Sequence, residues 1–263
     1  MARWIEKRNL LTIFVFRMWY RIVNKLDKKG ELVFMNYGYC DNTPIEGLHH
    51  DNEGDRTCIQ LYDQLVKTVD VNNLKILEVG SGRGGGLSYI SNRYNPQKAT
   101  GLDLDPSAVN FCNEKHGHEQ LTFIQGNAES LPFEDNSMDV IINVESSHRY
   151  GNMNNFLAEV KRVLRPEGSF LMTDFRYNER MDQIRADIKS SGLELIENYD
   201  ITNFVVNALE KDDPRRKALI DRVVPALLRK QALNFAGAVG SNTYNCFADG
   251  KWQYFNYHLK KSS

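Results

Sequence analysis

The sequence predicts a doubly wound α/β fold, a mostly parallel sheet with helices on both faces. Three observations carry the prediction. Short apolar runs alternate with helical patterns from about residue 74 onward. A glycine-rich turn, Gly80-Ser81-Gly82-Arg83-Gly84-Gly85-Gly86, separates the first such run from the first helical pattern. No internal repeat and no linker-like stretch interrupts the chain. Strands that alternate with crossover helices bury both faces of a sheet, and ligands of such sheets bind at the carboxyl ends of the strands.

Each element has its own local reason. Residues 74–79 (LKILEV) are a short apolar run ending in glycine, the signal of a buried strand. Residues 86–94 read as a helix and residues 99–104 (ATGLDL) as a second strand. Pro106 opens a helix over 106–116, where its missing N–H costs nothing. Residues 121–125 and 138–144 read as the third and fourth strands. Over 155–164, Phe156, Leu157, Val160, Val163 and Leu164 share one helical face. Pro166-Glu167-Gly168 ends that helix with a turn, and residues 169–174 (SFLMTD) supply a fifth strand. Further along, 181–190 read as a helix and 192–196 as the start of a strand. Residues 212–236 form an amphipathic stretch broken by Pro225, and 252–259 an aromatic strand.

Composition narrows the function classes. The 263 residues carry 33 Lys+Arg against 34 Asp+Glu, a net charge of −1 that argues against a nucleic-acid binder. With 41% hydrophobic and 25% charged residues the chain is an ordinary globular protein. Cys40, Cys58, Cys112 and Cys246 are scattered, with no CxxC or Cys/His cluster. Neither a disulfide framework nor a metal site is expected, and a reducing compartment is. The balance conceals an asymmetry. Residues 1–29 hold eight basic and two acidic groups, a local +6 that leaves −7 for the rest. The apolar run at 10–20 is too short to span a bilayer, is interrupted by Arg17, and lacks a following small-residue cleavage site. Leu10, Phe14, Arg17, Arg21 and Lys25 suggest a helix with mixed faces. It can serve as a lid packed on the domain, as an interfacial helix near lipid, or as both.

The glycine turn alone leaves the ligand open. Gly80, Gly82 and Gly85 satisfy the dinucleotide pattern GxGxxG, while Gly80, Gly82 and Gly84 satisfy the GxGxG of a sulfonium-cofactor loop. Asp103, 23 residues after Gly80, is placed to accept both ribose hydroxyls in either case. Asp105 competes with it, and one of the two is free to cap the following helix.

Downstream segments separate the two readings. Residues 126–133 (GNAESLPF), 138–141 (MDVI) and 156–168 (FLAEVKRVLRPEG), together with ExGxGxG at 78–84 and GLD at 101–103, resemble the class I S-adenosylmethionine-dependent methyltransferases, small-molecule branch, over about residues 74–175. Residues 34–39 (FMNYGY), 84–89 (GGGLSY) and 143–148 (NVESSH) are similar to the bacterial phthiotriol/phenolphthiotriol dimycocerosate O-methyltransferases and to fatty-acid O-methyltransferases. The resemblance implies a Rossmann-like methyltransferase fold that uses S-adenosylmethionine and releases S-adenosylhomocysteine. It also implies an N-terminal helical lid over 1–60 and a methyltransferase domain over 61–263. That domain would hold a cofactor core at 74–175 and a helical substrate-side insertion at about 200–245. Glu78 and the loop residues Gly80, Ser81, Gly82 and Gly84 would hold the methionine part. Asp103 would hold the ribose, Leu104 would pack on the adenine, and Ala128 would offer its N–H to the ring. Asn127 would sit beside the exocyclic amine, where the family usually has Asp. The amide keeps an acceptor but loses the charge, which weakens that contact. Asn143 or Val144 would line the methyl-donor centre, and Tyr37 and Tyr39 would fold over the cofactor.

An alcohol acceptor needs a base for its proton. His148, just past the fourth strand, is the best candidate, with Glu145 or Asp174 to orient the imidazole. His49 and His50 lie in a polar loop, His116 and His118 read as solvated helix-end residues, and His258 belongs to the aromatic strand. The expected acceptor is a hydroxyl on a lipid, polyketide or other hydrophobic small molecule. The alternatives are a fatty-acid carboxyl, or carbon or nitrogen of a hydrophobic natural product. A cofactor-binding protein without catalysis ranks below these. The expected location is cytoplasmic, with peripheral membrane contact through residues 1–29.

Overall fold

A computed structural model describes Asp27, residues 30–45, Leu48 and residues 50–263. The expectations for residues 1–26, and His49, lie outside the described residues. Seven strands form one sheet in the order β3-β2-β1-β4-β5-β7-β6. Strands β1 (Lys75–Val79), β2 (Lys98–Asp103), β3 (Leu121–Gln125), β4 (Met138–Val144) and β5 (Leu164–Tyr177) run parallel. Strand β7 (Trp252–Lys260) inserts antiparallel between β5 and the edge strand β6 (Glu194–Asp200).

The alternation of side chains along each strand builds a core on either face. Ile76, Val140, Ile142 and Leu171 face one cluster with Leu61 and Leu65 of α1 (Arg56–Val66), Leu87 and Ile90 of α2 (Gly85–Tyr94) and Val109 of α3 (Pro106–His116). Leu77, Val79, Ile141, Phe170 and Met172 face the other, with Phe156, Leu157 and Val160 of α4 (Met153–Val163) and Ile184 and Ile188 of α5 (Met181–Ser191). The remaining helices are α6 (Thr202–Val223), α7 (Arg229–Phe235) and α8 (Asn242–Ala248). Among the described residues, no helix is long and apolar enough to cross a membrane.

Most boundaries fall where the sequence places them, with instructive exceptions. Pro166-Glu167-Gly168 is not a turn before β5 but a bulge inside it. Met138 pairs with Leu164 and Val140 with Ser169, so the extra residues loop out, with Glu167 at φ 64°. Helix α6 begins ten residues before the stretch read from sequence and runs through Pro214. The expected boundary near residue 60 falls inside α1, whose Leu61 and Leu65 belong to the core.

Residues 30–45 contain no helix and run as a strap across the molecule. Tyr39 N–H donates to Thr57 O, Cys40 N–H to Phe204 O, and Gly85 N–H, at the start of α2, to Val33 O. Arg83 in the glycine turn fastens the same strap. Its Nη2 meets Asp27 Oδ2 at 2.6 Å, and both side chains are 1% exposed. Its Nε donates to Leu32 O. The Asp27 carboxylate also accepts the backbone N–H groups of Glu31 and Leu32.

Helix α2 approaches α1 closely because residue 86 has no side chain. A Cβ there would lie 1.9 Å from Tyr62 Cζ. Gly86→Ala is expected to destabilise the fold by about 1–3 kcal/mol or more. The measurement is a urea titration, in which the midpoint should fall at constant slope. An unchanged midpoint would show that the Tyr62 ring moves aside freely.

Candidate active site

The carboxyl ends of β1, β2, β4 and β5 converge on one region, and the glycine turn forms its floor. The hydrogen bonding of that turn discriminates between ligand classes. A phosphate cradle needs backbone N–H groups directed at the ligand. Here Gly80 and Ser81 N–H donate to Leu102 O, Gly84 N–H to Ser81 O, and Gly85 N–H to Val33 O. Gly82 N–H donates to Asp103 Oδ2 at 2.8 Å. These amides are spent within the protein, which disfavours a pyrophosphate. Gly80 has φ 80°, and a Cβ on it would lie 2.4 Å from Ser146 Oγ, so only glycine fits.

Polar atoms without partners mark where a ligand fits. Glu78 is fully buried, and its Oε1 accepts the Tyr62 hydroxyl at 2.8 Å while its Oε2 has no partner. Ser81 Oγ and Asn143 Oδ1 are likewise buried and unpaired. Asn143 Nδ2 lies within 2.9 Å of Val79 O, Ser146 Oγ and Tyr150 Oη, which locks the amide in place. Unpaired buried acceptors suit a ligand that brings donors and positive charge, such as an amino acid with a sulfonium.

The outer end of the groove is apolar. Leu104 is 48% exposed, an open platform for a flat ring. Asp105 caps α3 by accepting from Ser107 N–H at 2.8 Å, while Asp103 faces the glycine turn. Both Asp103 oxygens already accept a backbone N–H, from Gly82 and Asp105, and each keeps a second lone pair. Asn127 Oδ1 accepts Glu129 N–H at 3.0 Å in a tight turn beside the buried Ala128.

Across the groove lies a histidine–carboxylate pair. Val144 pairs with Thr173 in the β4–β5 register, so Asp174 emerges beside the turn that carries His148. Asp174 is fully buried, yet its carboxylate meets His148 Nδ1 at 2.7 Å, Ser147 Oγ at 2.6 Å, His148 N–H at 3.0 Å and Arg176 Nη1 at 3.2 Å. Burial alone would raise its pKa. The charges of His148 and Arg176 and these hydrogen bonds outweigh it and hold the carboxyl well below the usual range. His148 packs against Phe175 in a tilted arrangement, with ring centroids 4.5 Å apart. Burial pulls its pKa below 6.5, with Asp174 opposing and the Arg149 and Arg176 charges assisting. Arg149 Nε donates to His148 Nε2 at 3.0 Å. Arginine cannot accept, so Nε2 carries the lone pair and Nδ1 the proton.

Residues 77–172 match the family described as "Methyltransferase domain". Over 248 residues, 94% of this chain and 92% of the relative, the chain is 35% identical to the phthiotriol/phenolphthiotriol dimycocerosates methyltransferase of Mycobacterium tuberculosis (strain ATCC 25618 / H37Rv). The chain belongs to the S-adenosylmethionine-dependent methyltransferases. It is also 40% identical to the fatty-acid O-methyltransferase of Mycolicibacterium smegmatis (strain ATCC 700084 / mc(2)155) over 211 residues, 80% of this chain and 77% of that one. The fold is similar to that of geranyl diphosphate C-methyltransferase from Streptomyces coelicolor A3(2) bound to S-adenosyl-L-homocysteine. That likeness has a TM-score of 0.64 at 17% identity, over 92% of this chain and 97% of that one. The cofactor of the methyltransferase is therefore S-adenosylmethionine, and the orphaned acceptors and exposed Leu104 fit it.

The structure redistributes several roles read from the sequence. Of the two carboxylates considered for His148, Asp174 makes the contact. Glu145, in a left-handed conformation with φ 45°, instead accepts Tyr254 Oη at 2.6 Å and Tyr37 N–H at 2.7 Å through Oε1. It anchors the strap. Tyr37 packs on Phe175 and Phe247 at 5.6 and 5.3 Å, on the His148 side of the groove. Tyr39 packs on Phe204 at 4.9 Å, and its hydroxyl donates to Asp41, so the two tyrosines do not act as one cover. His116 is not a solvated end residue: it is half-buried, with Nε2 3.1 Å from Arg83 O. His258 Nε2 lies 3.0 Å from Ser169 Oγ on the sheet. Tyr62, Arg149, Phe175 and Tyr254 contact the candidate residues Glu78, His148 and Glu145, and the sequence reading did not name them.

Burial pushes the Glu78 carboxyl up to about 8, with Tyr62 opposing and the Asp103 charge adding. Burial pushes Glu145 up to about 7, against hydrogen bonds from Tyr254 and Tyr37. A carboxyl with a raised native pKa holds its proton better when folded. Its stabilisation is complete below the unfolded value of 4.5 and is lost as pH rises through the native one. Between about 7 and 8 Glu145 has passed its midpoint and Glu78 carries the larger share of the titration. Glu78→Gln should flatten the fall in stability over that interval, as read by urea unfolding at successive pH values. An unchanged slope would assign the titration to another group.

Proposed function

We propose that this methyltransferase methylates a hydroxyl oxygen on a lipophilic acceptor, with His148 as the base and Asp174 as its orienting carboxylate. The observation that carries the reading is the His148–Asp174 pair, which presents a neutral imidazole whose basic nitrogen points away from the carboxylate. S-adenosylmethionine supplies a methyl group on an already activated sulfonium, so the protein has mainly to align the two partners and exclude water. His148 takes the hydroxyl proton as the oxygen attacks, and Asp174 stabilises the imidazolium that results. Glu145 and Tyr254 hold the strap so that Tyr37 covers this side of the groove.

An apolar cavity of about 90 Å³ supports the lipophilic half of the proposal. It lies between the strap and helices α6 and α7, and its wall includes Tyr37, Leu219, Val223, Ala232 and Phe235. Tyr37 connects it to Phe175 and so to His148. It is smaller than the ~150 Å³ cavity that holds a benzene ring, so a long chain has to widen it. The relatives named for dimycocerosates and for fatty acids are in keeping with such an acceptor.

A second reading, methylation of a carboxylate, is favoured by the Arg149 guanidinium at the histidine, a group suited to pair with an acid. The two differ in their need for a base. His148→Ala should leave S-adenosylmethionine binding unchanged by calorimetry and slow labelled-methyl transfer to fatty alcohols by about 10²–10⁴-fold. Fatty-acid methylation should survive the same change. Full turnover of alcohols in the variant would remove His148 as base.

We further propose that residues 1–29, with their excess of basic and aromatic side chains, bring the enzyme to anionic lipid, each basic group adding roughly 1 kcal/mol. Co-sedimentation with anionic vesicles should weaken when residues 1–26 are removed, a cut that keeps the buried Asp27, and when salt is raised. Equal binding by both chains would dispose of this contact.

A further inference from the structure

Arg149 closes the one nitrogen through which His148 can act. Its Nε–H donates to Nε2 at 3.0 Å, while Asp174 holds Nδ1 at 2.7 Å. A guanidinium has N–H donors and no acceptor, so it can only donate. While that bond is made, the Nε2 lone pair is engaged and cannot take a proton from a hydroxyl. The same guanidinium lies over the Phe235 ring, with Cζ 5.9 Å from the centroid. Phe235 in turn forms part of the wall of the apolar cavity. One side chain thus touches both the base and the wall behind which an aliphatic tail would lie. The cavity, at about 90 Å³, is smaller than one that holds a benzene ring, so a tail seated in it presses on its wall.

We propose that Arg149 is a positioning residue that caps the His148 base, and that an aliphatic tail entering the cavity displaces Phe235 and withdraws the cap. This rests on the reading of His148 as the base for a hydroxyl acceptor. Entry of the tail moves the ring, the guanidinium loses that contact and shifts, and Nε2 becomes available. The acceptor hydroxyl then donates to Nε2. As its oxygen forms the bond to the methyl carbon, the carbon–sulfur bond breaks with its electron pair going to sulfur. The hydroxyl proton passes to Nε2 and leaves an imidazolium beside the Asp174 carboxylate. Contacts made far from the reacting atoms are in this way spent on turnover as well as on affinity. An alcohol too short to fill the cavity reaches a base that is still capped.

The charged groups facing the imidazole are Asp174 and Arg176 from β5 and Arg149 from its own turn. Removing Arg149 deletes a donor to the lone pair and a positive charge, and both changes favour the protonated ring. The test uses the full chain with Arg149→Met, which keeps much of the side-chain bulk. Turnover and KM are measured for primary alcohols of increasing chain length, and the His148 ring is titrated by NMR, with His148→Asn to assign its signals. In the wild type, kcat should climb with chain length by roughly tenfold or more. In Arg149→Met, kcat for short alcohols should rise towards the long-chain value. The His148 titration and the acidic limb of the kcat profile should move to higher pH. Arg149→Lys, which restores a cation without the planar donor, should leave short alcohols faster than in the wild type. A chain-length dependence of kcat that Arg149→Met leaves unchanged overturns the proposal. So does a uniform loss of kcat with the His148 titration unmoved. Failure of the underlying hydroxyl reading looks different: no alcohol of any length is methylated by the wild type, and the cap falls with it.

Discussion

The buried carboxylate of Asp174 is the constraint on which the active site depends. It has no exposure to solvent, yet donors from Ser147, Phe175 and Arg176, with the backbone and imidazole of His148, keep it ionised. An ion in that position is tolerable only if every donor stays where it is. Its demands fix the turn after β4 through Ser147 and the backbone of His148, the tautomer of the imidazole, and the course of Arg176. Arg176 Nη2 reaches Ser147 Oγ at 2.8 Å and closes the ring of contacts. The antiparallel β7 completes the arrangement, because Phe255 pairs with Asp174 and Tyr254 with Phe175. That register brings the Tyr254 hydroxyl to Glu145 and stacks Trp252 on Phe175 at 4.9 Å. The carboxylate that holds His148 and the anchor of the strap are therefore set by the register of the same two strands.

Features encoded locally could be read from the sequence. The apolar runs of β1, β2, β4 and β5, the glycine turn and the proline at the start of α3 each declare themselves within a few residues. The place of His148, just past the end of a parallel strand, is legible in the same way. The choice between Glu145 and Asp174 was not legible. It depends on the pairing of Val144 with Thr173 and on the left-handed backbone of Glu145, which turns that side chain towards Tyr37 and Tyr254. The division of Tyr37 from Tyr39 has the same origin. Two tyrosines two residues apart in a regular extended segment would share one side, but Gly38 between them has φ 85°, which breaks the alternation, and the packing of α6 and α8 decides what each ring meets. Arg149 escaped notice because nothing in an arginine next to a histidine shows which way the guanidinium folds.

The glycine turn shows how hydrogen-bond accounting separates ligand classes that a pattern cannot. Both GxGxxG and GxGxG fit residues 80–85. Their chemistry differs in what the backbone has left to give. Five amides of this turn are already used by Leu102, Asp103, Ser81 and Val33. What remains unsatisfied is acceptor capacity on Glu78, Ser81 and Asn143. A region short of donors attracts a cation, and one rich in free donors attracts an anion.

Arg83 occupies a position that the glycine pattern leaves unspecified, yet its charge is buried against Asp27, 56 residues earlier. Losing one member of such a pair costs about 3–5 kcal/mol, since the other is left buried and uncompensated. Neither segment can be exchanged alone with that of another methyltransferase. A transplanted glycine loop would strand Asp27, and a transplanted strap would strand Arg83. The glycine turn and the segment leading into it are thus joined by one buried ion pair, and a chimaera has to cross both boundaries together.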